Sequence, residues 1–374
     1  MLIRSGKIIK LKELFKNNKT CEATSVLNRT VYPYIEILDL FRNLIGGDLM
    51  EVQLFNTQSS KASIFQSGYI EGAKLIGADK FGEKGRYGEG VTIAVIDTGV
   101  DKNHPNLKDR IIDCRNFTDE NNGRVDLVDD YVGHGTHTAG IIGASDIGDN
   151  GIIGVAPKCN LMILKALGKR GGKIEWIVNA INYAVEKKVD IINMSLGCTC
   201  DNDSLKRAVK KAIDKGISCV VACGNNGDNN ANTDELNYPS YYNECISVGS
   251  VRYSKSKSKF SASNKEIDLV CFGEGFNNRG VLSCYPGGLY QEQKGTSMSA
   301  PFVSGALALL KNWFKMEFKR ECSEAELYAQ LIKRTMDLNL DKNIQGNGIL
   351  YLPLEDITDK LVFNEELIQN ILGS

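Results

Sequence analysis

Histidine is scarce in this chain: three in 374 residues, beside 45 basic and 46 acidic side chains. Any chemistry that needs an imidazole must use His104, His134 or His137, which fall within one short stretch. An excess of one charge is lacking too. A formal net charge of −1 gives nothing for a phosphate backbone to attract, so nucleic acid is not expected as a partner. No apolar run approaches the roughly 18 residues that a membrane span needs, and no span is expected. Internal repeats and low-complexity tracts are also missing. Cysteine is plentiful by contrast, and eleven is an odd number that cannot all pair. No CxxC pair occurs, and Cys198-x-Cys200 has no companion at zinc-finger spacing, so a zinc site is not expected. Cys219 and Cys223 sit in the apolar run 217–223, where a thiol behaves as a small hydrophobe. The first residues carry charge, with lysines at 7, 10, 12, 16 and 19, but no apolar signal-peptide core follows. That start, together with many unpaired thiols, points to the reducing cytoplasm.

From residue 91 short apolar runs alternate with helical periods. Strands are expected over 91–96, 161–167, 189–195, 217–222 and 245–248. Between them, Ile174, Ile177, Val178, Ile181 and Val185 share one helical face, as do Leu205, Ala208, Val209, Ala212 and Ile213. This cadence predicts an α/β fold, a mostly parallel sheet with helices on both faces. Ser323-x-x-Glu326 predicts a capping box before a further helix. Residues 1–69 lack the alternation and are read as an N-terminal extension. A catalytic domain is expected over 70–352 and a C-terminal tail over 353–374.

Four segments carry residues suited to catalysis. Asp97 ends a strand and is followed by the turn residues Thr98-Gly99; ligands of open α/β sheets bind beyond such carboxyl ends, although an aspartate there also serves as a helix cap. His134 lies in Gly133-His134-Gly135-Thr136-His137. His134 and His137 at i, i+3 lack the i, i+4 spacing and intervening glutamate of a zinc protease. Ser297 lies in Gly295-Thr296-Ser297-Met298, opening an apolar helix whose first N–H groups face it. A serine hydroxyl is a poor nucleophile unless a histidine takes its proton and a carboxylate orients that histidine. Asn225, in Gly224-Asn225-Asn226-Gly227, stands after an apolar strand where its amide can donate to an oxyanion; alone, the run reads as a turn.

Together, in this order, the four segments resemble the subtilisin family of serine proteases. The likeness extends over Ile70 to Leu352 through Gly154-Val155-Ala156-Pro157, Ser195-Leu196-Gly197, Tyr238-Pro239 and Gly346-Asn347-Gly348, and is closest to the intracellular subtilisins of spore-forming bacteria. The resemblance implies Ser297 as nucleophile, His134 as general base and then acid, Asp97 as its orienter, and Asn225 with the Ser297 N–H as the oxyanion hole. It implies that Gly171-Gly172 and Ser195-Leu196-Gly197 bind the peptide as an added strand. Protein or peptide substrates and a homodimer follow from the same likeness.

The expected function is a cytoplasmic serine endopeptidase made as a latent zymogen. A dedicated leader- or propeptide-processing protease is the alternative within the class, and a peptide-binding pseudoprotease the competitor outside it. No cofactor is expected for catalysis. Relatives hold structural calcium through an aspartate in a His-Pro-Asp-Leu run. Here that run is His104-Pro105-Asn106-Leu107, which leaves Asp146 and the carbonyls of the 146–152 loop as the remaining candidate ligands. Cys198 replaces a usual glycine and Cys223 adjoins the oxyanion motif, so oxidation of either is expected to slow the enzyme. Val31-Tyr32-Pro33-Tyr34 is the nearest match to the Leu-Ile-Pro-Tyr segment with which intracellular relatives block their own active site.

Overall fold

The computed structural model describes residues 2–4, 7–9, 51–52, 58–61, 67–149, 151–228 and 230–354. The chain divides into two units, Met1–Leu49 and Met50–Ser374. In the first, strands β1 (Leu2–Arg4) and β2 (Lys7–Ile9) form an antiparallel pair. The second opens with the short strands β3 (Glu51–Val52), β4 (Gln58–Lys61) and β5 (Gly68–Tyr69), then helices α1 (Glu71–Leu75) and α2 (Ala78–Phe81). The β-branched run after Val91 becomes β6 (Thr92–Asp97). It is followed by β7 (Ile111–Asn116), α3 (His134–Gly143), β8 (Ile152–Ile153), β9 (Asn160–Lys165), β10 (Gly172–Lys173) and α4 (Ile174–Glu186). Then come β11 (Ile191–Met194), α5 (Asp203–Ile213), β12 (Ser218–Ala222), β13 (Ile246–Arg252) and β14 (Leu269–Glu274). A hairpin of β15 (Val281–Tyr285) and β16 (Leu289–Lys294) leads into the long helix α6 (Thr296–Phe318). The last elements are α7 (Glu324–Lys333), β17 (Thr335–Met336), α8 (Lys342–Gln345) and β18 (Ile349–Leu350).

Nine strands make one sheet in the order β17-β18-β14-β13-β12-β11-β6-β9-β7, with every pairing parallel except β17 against β18. Side chains of a strand alternate between faces, and β6 shows what each face buries. Ile93 and Val95 join a cluster with Ile141 and Ile142 of α3 and Phe302 and Leu307 of α6. Ala94 and Ile96 join another with Ile177 and Ile181 of α4 and Leu205 and Val209 of α5. The chain is therefore a three-layer α/β structure, as the alternation of runs and periods predicts. Each fully buried aliphatic side chain stabilises it by about 1.5–3 kcal/mol.

The expected strands all form, with shifted ends. β9 stops at Lys165 rather than reaching Leu167, because the N–H groups of Ala166 and Leu167 both turn to the Asp97 carbonyl, at 3.0 and 3.2 Å. The capping box forms: Glu326 N donates to Ser323 Oγ at 3.3 Å and Ser323 N donates back to Glu326 Oε2 at 2.9 Å. Strand β7 and the β15–β16 hairpin were not expected. β7 is an edge strand whose side chains are mostly half-buried, and β16 carries Gln291, Glu292, Gln293 and Lys294, so neither has a strong apolar period.

Candidate active site

The carboxyl edge of the parallel sheet assembles the site. Asp97 is the last residue of β6, Ser195 follows β11, and Asn225 follows β12 by three residues. Against this edge lie the amino ends of two helices. His134 is the first residue of α3 and Ser297 the second of α6. The spacing within the two short motifs has a steric cause. Gly99 adopts φ +108°, a region that favours glycine, and a Cβ on Gly135 would lie 2.1 Å from the Gly99 carbonyl oxygen. Without a side chain at either position, the first turn of α3 packs onto the turn that holds Asp97.

His134 Nδ1 lies 2.7 Å from Asp97 Oδ1, and both side chains are buried. Thr98 N donates to the same carboxylate oxygen at 2.7 Å. Burial disfavours the charged imidazole, but the Asp97 carboxylate, through its charge and its hydrogen bond, outweighs it and leaves the His134 pKa above the ordinary value of 6.5. A carboxylate on Nδ1 holds the proton there and leaves Nε2 as the basic nitrogen. Nε2 is buried and has no hydrogen-bond partner among the described residues. Ser297 Oγ donates to the Ser195 carbonyl at 3.2 Å, while Ser195 Oγ donates to the Ser297 carbonyl at 2.9 Å. The serine therefore rests in a rotamer directed at β11's end, and a turn about its Cα–Cβ bond is needed to present it to an imidazole. Asn225 Oδ1 accepts from Thr296 N at 2.8 Å and Thr296 Oγ1 at 2.9 Å. This anchors the amide by its oxygen, the orientation an oxyanion donor requires of its nitrogen.

The other two histidines are fixed by backbone carbonyls. His137 Nε2 donates to Val281 O at 3.0 Å and is within 3.1 Å of Gln291 O, and burial pushes its pKa down to about 3. His104 Nε2 donates to Leu289 O at 2.9 Å, while its Nδ1 accepts from Asn106 N at 3.2 Å; burial lowers it as well. Both are neutral struts between α3, the 101–107 turn and the β15–β16 hairpin.

Sequence reasoning missed the residues that hold the pair in place. Asp130 is buried; its Oδ1 accepts from Thr98 Oγ1 at 2.8 Å and Gly133 N at 2.8 Å, and its Oδ2 from Thr136 N at 2.8 Å and Thr136 Oγ1 at 2.7 Å. Thr98 Oγ1 in turn accepts from Gly135 N at 2.9 Å. One carboxylate thus joins the turn after Asp97 to the start of the His134 helix. Lys165, fully buried, donates to Thr98 O at 2.6 Å and Asp129 O at 2.9 Å and pairs with Glu120 at 3.1 Å. An aspartate four residues before a histidine and a lysine ending a strand carry no signal of their own in one sequence.

Of the expected substrate edges, Ser195 touches Ser297 directly. Gly171 bridges to Gly168, and Gly172 in β10 is paired antiparallel with Val52 of β3. Val52 is buried in the same cluster as Leu167, Ile174 and Leu196. Ser195, Leu196 and Gly197 follow β11, and Cys198 exchanges two backbone hydrogen bonds with Tyr238, of 2.9 and 2.7 Å. β4 pairs with β16, Gln58 opposite Lys294, three residues before Ser297. The segment Val31–Tyr34 lies outside the described residues.

All ten described cysteines are free. Burial pushes the Cys223 thiol up to about 12 and raises that of Cys198. Since the thiolate is the reactive form, burial works against the oxidation expected of either thiol.

A calcium ion does not fit the residues expected to hold one. Asp146 is exposed and its Oδ1 accepts from Gly148 N at 2.9 Å. Asn106 presents its amide nitrogen, not an oxygen, to Ser145 O at 2.8 Å and Ile152 O at 2.9 Å. No group of three or more histidine, cysteine or acidic side chains suited to a metal occurs among the described residues.

A parallel sheet with an aspartate, a histidine on a helix start and a serine on another, in that chain order, defines the class of subtilisin-like hydrolases. The subtilase family model matches residues 88–348. The major intracellular serine protease of Bacillus subtilis is 51% identical over 288 residues, which cover 76% of this chain and 88% of that protein. The intracellular serine protease of Paenibacillus polymyxa is 48% identical, covering 77% and 86%. Subtilisin E of Bacillus subtilis is 36% identical over 240 residues, covering 64% and 60%. The chain belongs to the subtilase family and is a subtilisin-like serine protease.

Proposed function

We propose that this chain is an intracellular serine endopeptidase that cleaves peptide bonds through an acyl-enzyme on Ser297. The observation that carries the proposal is the buried 2.7 Å contact of His134 Nδ1 with Asp97 Oδ1, at a sheet edge followed by Asn225 and faced by the amino end of the helix that carries Ser297. In this reading Ser297 turns from the Ser195 carbonyl to His134 Nε2 and attacks the scissile carbonyl as the imidazole takes its proton. Asp97 holds and stabilises the imidazolium. The Asn225 amide and the Ser297 N–H receive the oxyanion. His134 then protonates the leaving amine, and water repeats the sequence on the ester. No metal or cofactor enters these steps. The intracellular assignment rests on the names of the two relatives near 50% identity.

Latency is part of the proposal. β10, which holds the expected substrate residue Gly172, and β16, which ends three residues before Ser297, are already paired with strands from the chain's own amino-terminal side, and Ser297 is fully buried. Both observations support a form in which β3 and β4 take up edges that a substrate strand would use. β5, immediately before the expected start of the catalytic domain at Ile70, pairs with β8 and so supports counting Gly68 and Tyr69 with that domain. A fluorophosphonate probe tests the chemistry. Labelling of the amino-terminally truncated protein is expected and should vanish in Ser297→Ala; labelling that persists in that variant, or fails in the folded parent, refutes the assignment.

A further inference from the structure

The loop 144–152 is held at its base by one buried side chain. Asn106 is fully buried, and its two amide hydrogens go to the carbonyl oxygens of Ser145 and Ile152, at 2.8 and 2.9 Å. Its own Oδ1 accepts from Tyr290 Oη at 2.5 Å, and its backbone carbonyl accepts from Ser145 N at 2.8 Å and Ser145 Oγ at 2.9 Å. The orientation of the amide is settled by its partners, since the flipped rotamer would set an oxygen against two carbonyl oxygens. The space is already filled: a Cβ on Gly151 would lie 3.0 Å from Asn106 Nδ2.

Two carbonyls converging on one point from opposite ends of a loop need positive charge between them, whether partial or whole. A calcium ion would supply it with six to eight oxygens at about 2.3–2.6 Å. Here the converging oxygens meet two N–H groups instead. We propose that the Asn106 amide takes the place of a cation in closing the 144–152 loop, and that a carboxylate at this one position would convert the loop to a calcium-dependent one. Aspartate has almost the same shape as asparagine but no hydrogens to donate. In Asn106→Asp the carboxylate would face the Ser145 and Ile152 carbonyls with nothing between them, three oxygens around one point, until a cation entered.

The test uses the full chain carrying Ser297→Ala, so that self-digestion cannot blur the readout. Without Asn106→Asp, the melting temperature in chelator and in millimolar calcium should agree within about 1 °C. With Asn106→Asp, it should fall on the order of 5–10 °C in chelator, from the loss of two buried hydrogen bonds, and calcium should restore at least half of the fall. Asn106→Ala should fall and stay down in either condition, having neither the donors nor the charge. Equal calcium responses with and without Asn106→Asp overturn the proposal. Hydrogen exchange of the 144–152 amides with Asn106 intact gives a second reading that needs no folded variant: protection unchanged by chelator supports the amide as the closing group, and calcium-dependent protection overturns it.

Discussion

At the scale of single residues, the site is governed by where charge is buried. Asp97 and Asp130 both act on His134, the first by direct contact and the second through space and through the N–H groups at the start of α3. Their combined effect raises the imidazole pKa. Catalysis needs the neutral form, so activity is lost as pH falls through that raised value, and the acid limb of kcat/KM should lie above the ordinary 6.5. Asp130→Asn removes one of the charges that favour the imidazolium. It should move the limb to lower pH and also reduce kcat, with KM little changed. A pH–rate profile measures both effects, and a limb that stays in place or moves up would assign Asp130 a structural role alone. Asp97, His134, Ser297 and Asn225 stood out in the sequence as four short motifs in one order that together resemble the subtilisin family, whereas alone the Asn225 run reads as a turn and Asp97 as a helix cap. Asp130 and Lys165 could not be read there, nor could the link that Thr98 makes to Asp130, since these partners come from separate elements that only the folded sheet edge unites.

At the scale of elements, legibility followed apolar periodicity. The central strands β6, β9, β11, β12 and β13 are buried on both faces and stand out as short apolar runs, and α4 and α5 show their inward stripe. The elements nearest the cleft were harder to read. β3, β4 and β10 are two to four residues long, too short to show a period, and they take their form from pairing. β3 is held by its backbone register with β10 and by Val52, which is 1% exposed. A charge there meets an apolar cluster that has no partner to offer it. Val52→Asp in the full-length protein should therefore unseat the strand and raise the rate on a short peptide substrate several-fold. A rate equal to the parent's, with an unchanged melting temperature, would mean that β3 does not obstruct the edge it pairs with.

At the scale of the whole molecule, the proposed latency is a competition between a tethered strand and a free substrate. Tethering gives the occupying segment an effective concentration that no peptide in solution matches, on the order of millimolar for a short flexible connection. The factor by which the tether suppresses activity is then about one plus that concentration divided by the segment's own dissociation constant. Both quantities can be measured. Removing residues 1–66 keeps β5 and its pairing with β8, and leaves a catalytic domain whose rate gives the unobstructed value. A synthetic peptide of residues 51–61, added to that truncated protein at several substrate concentrations, should inhibit competitively. If its inhibition constant is about 0.1 mM, the tethered form should be slower than the truncated one by roughly tenfold; a tighter peptide implies a proportionally larger factor. The suppression should also be independent of protein concentration, since the strand and the cleft belong to one chain. A truncated protein that folds but is no faster than the full chain would defeat the latency reading while leaving the triad untouched. Suppression that grows with protein concentration would place the blocking strand on a second copy of the chain.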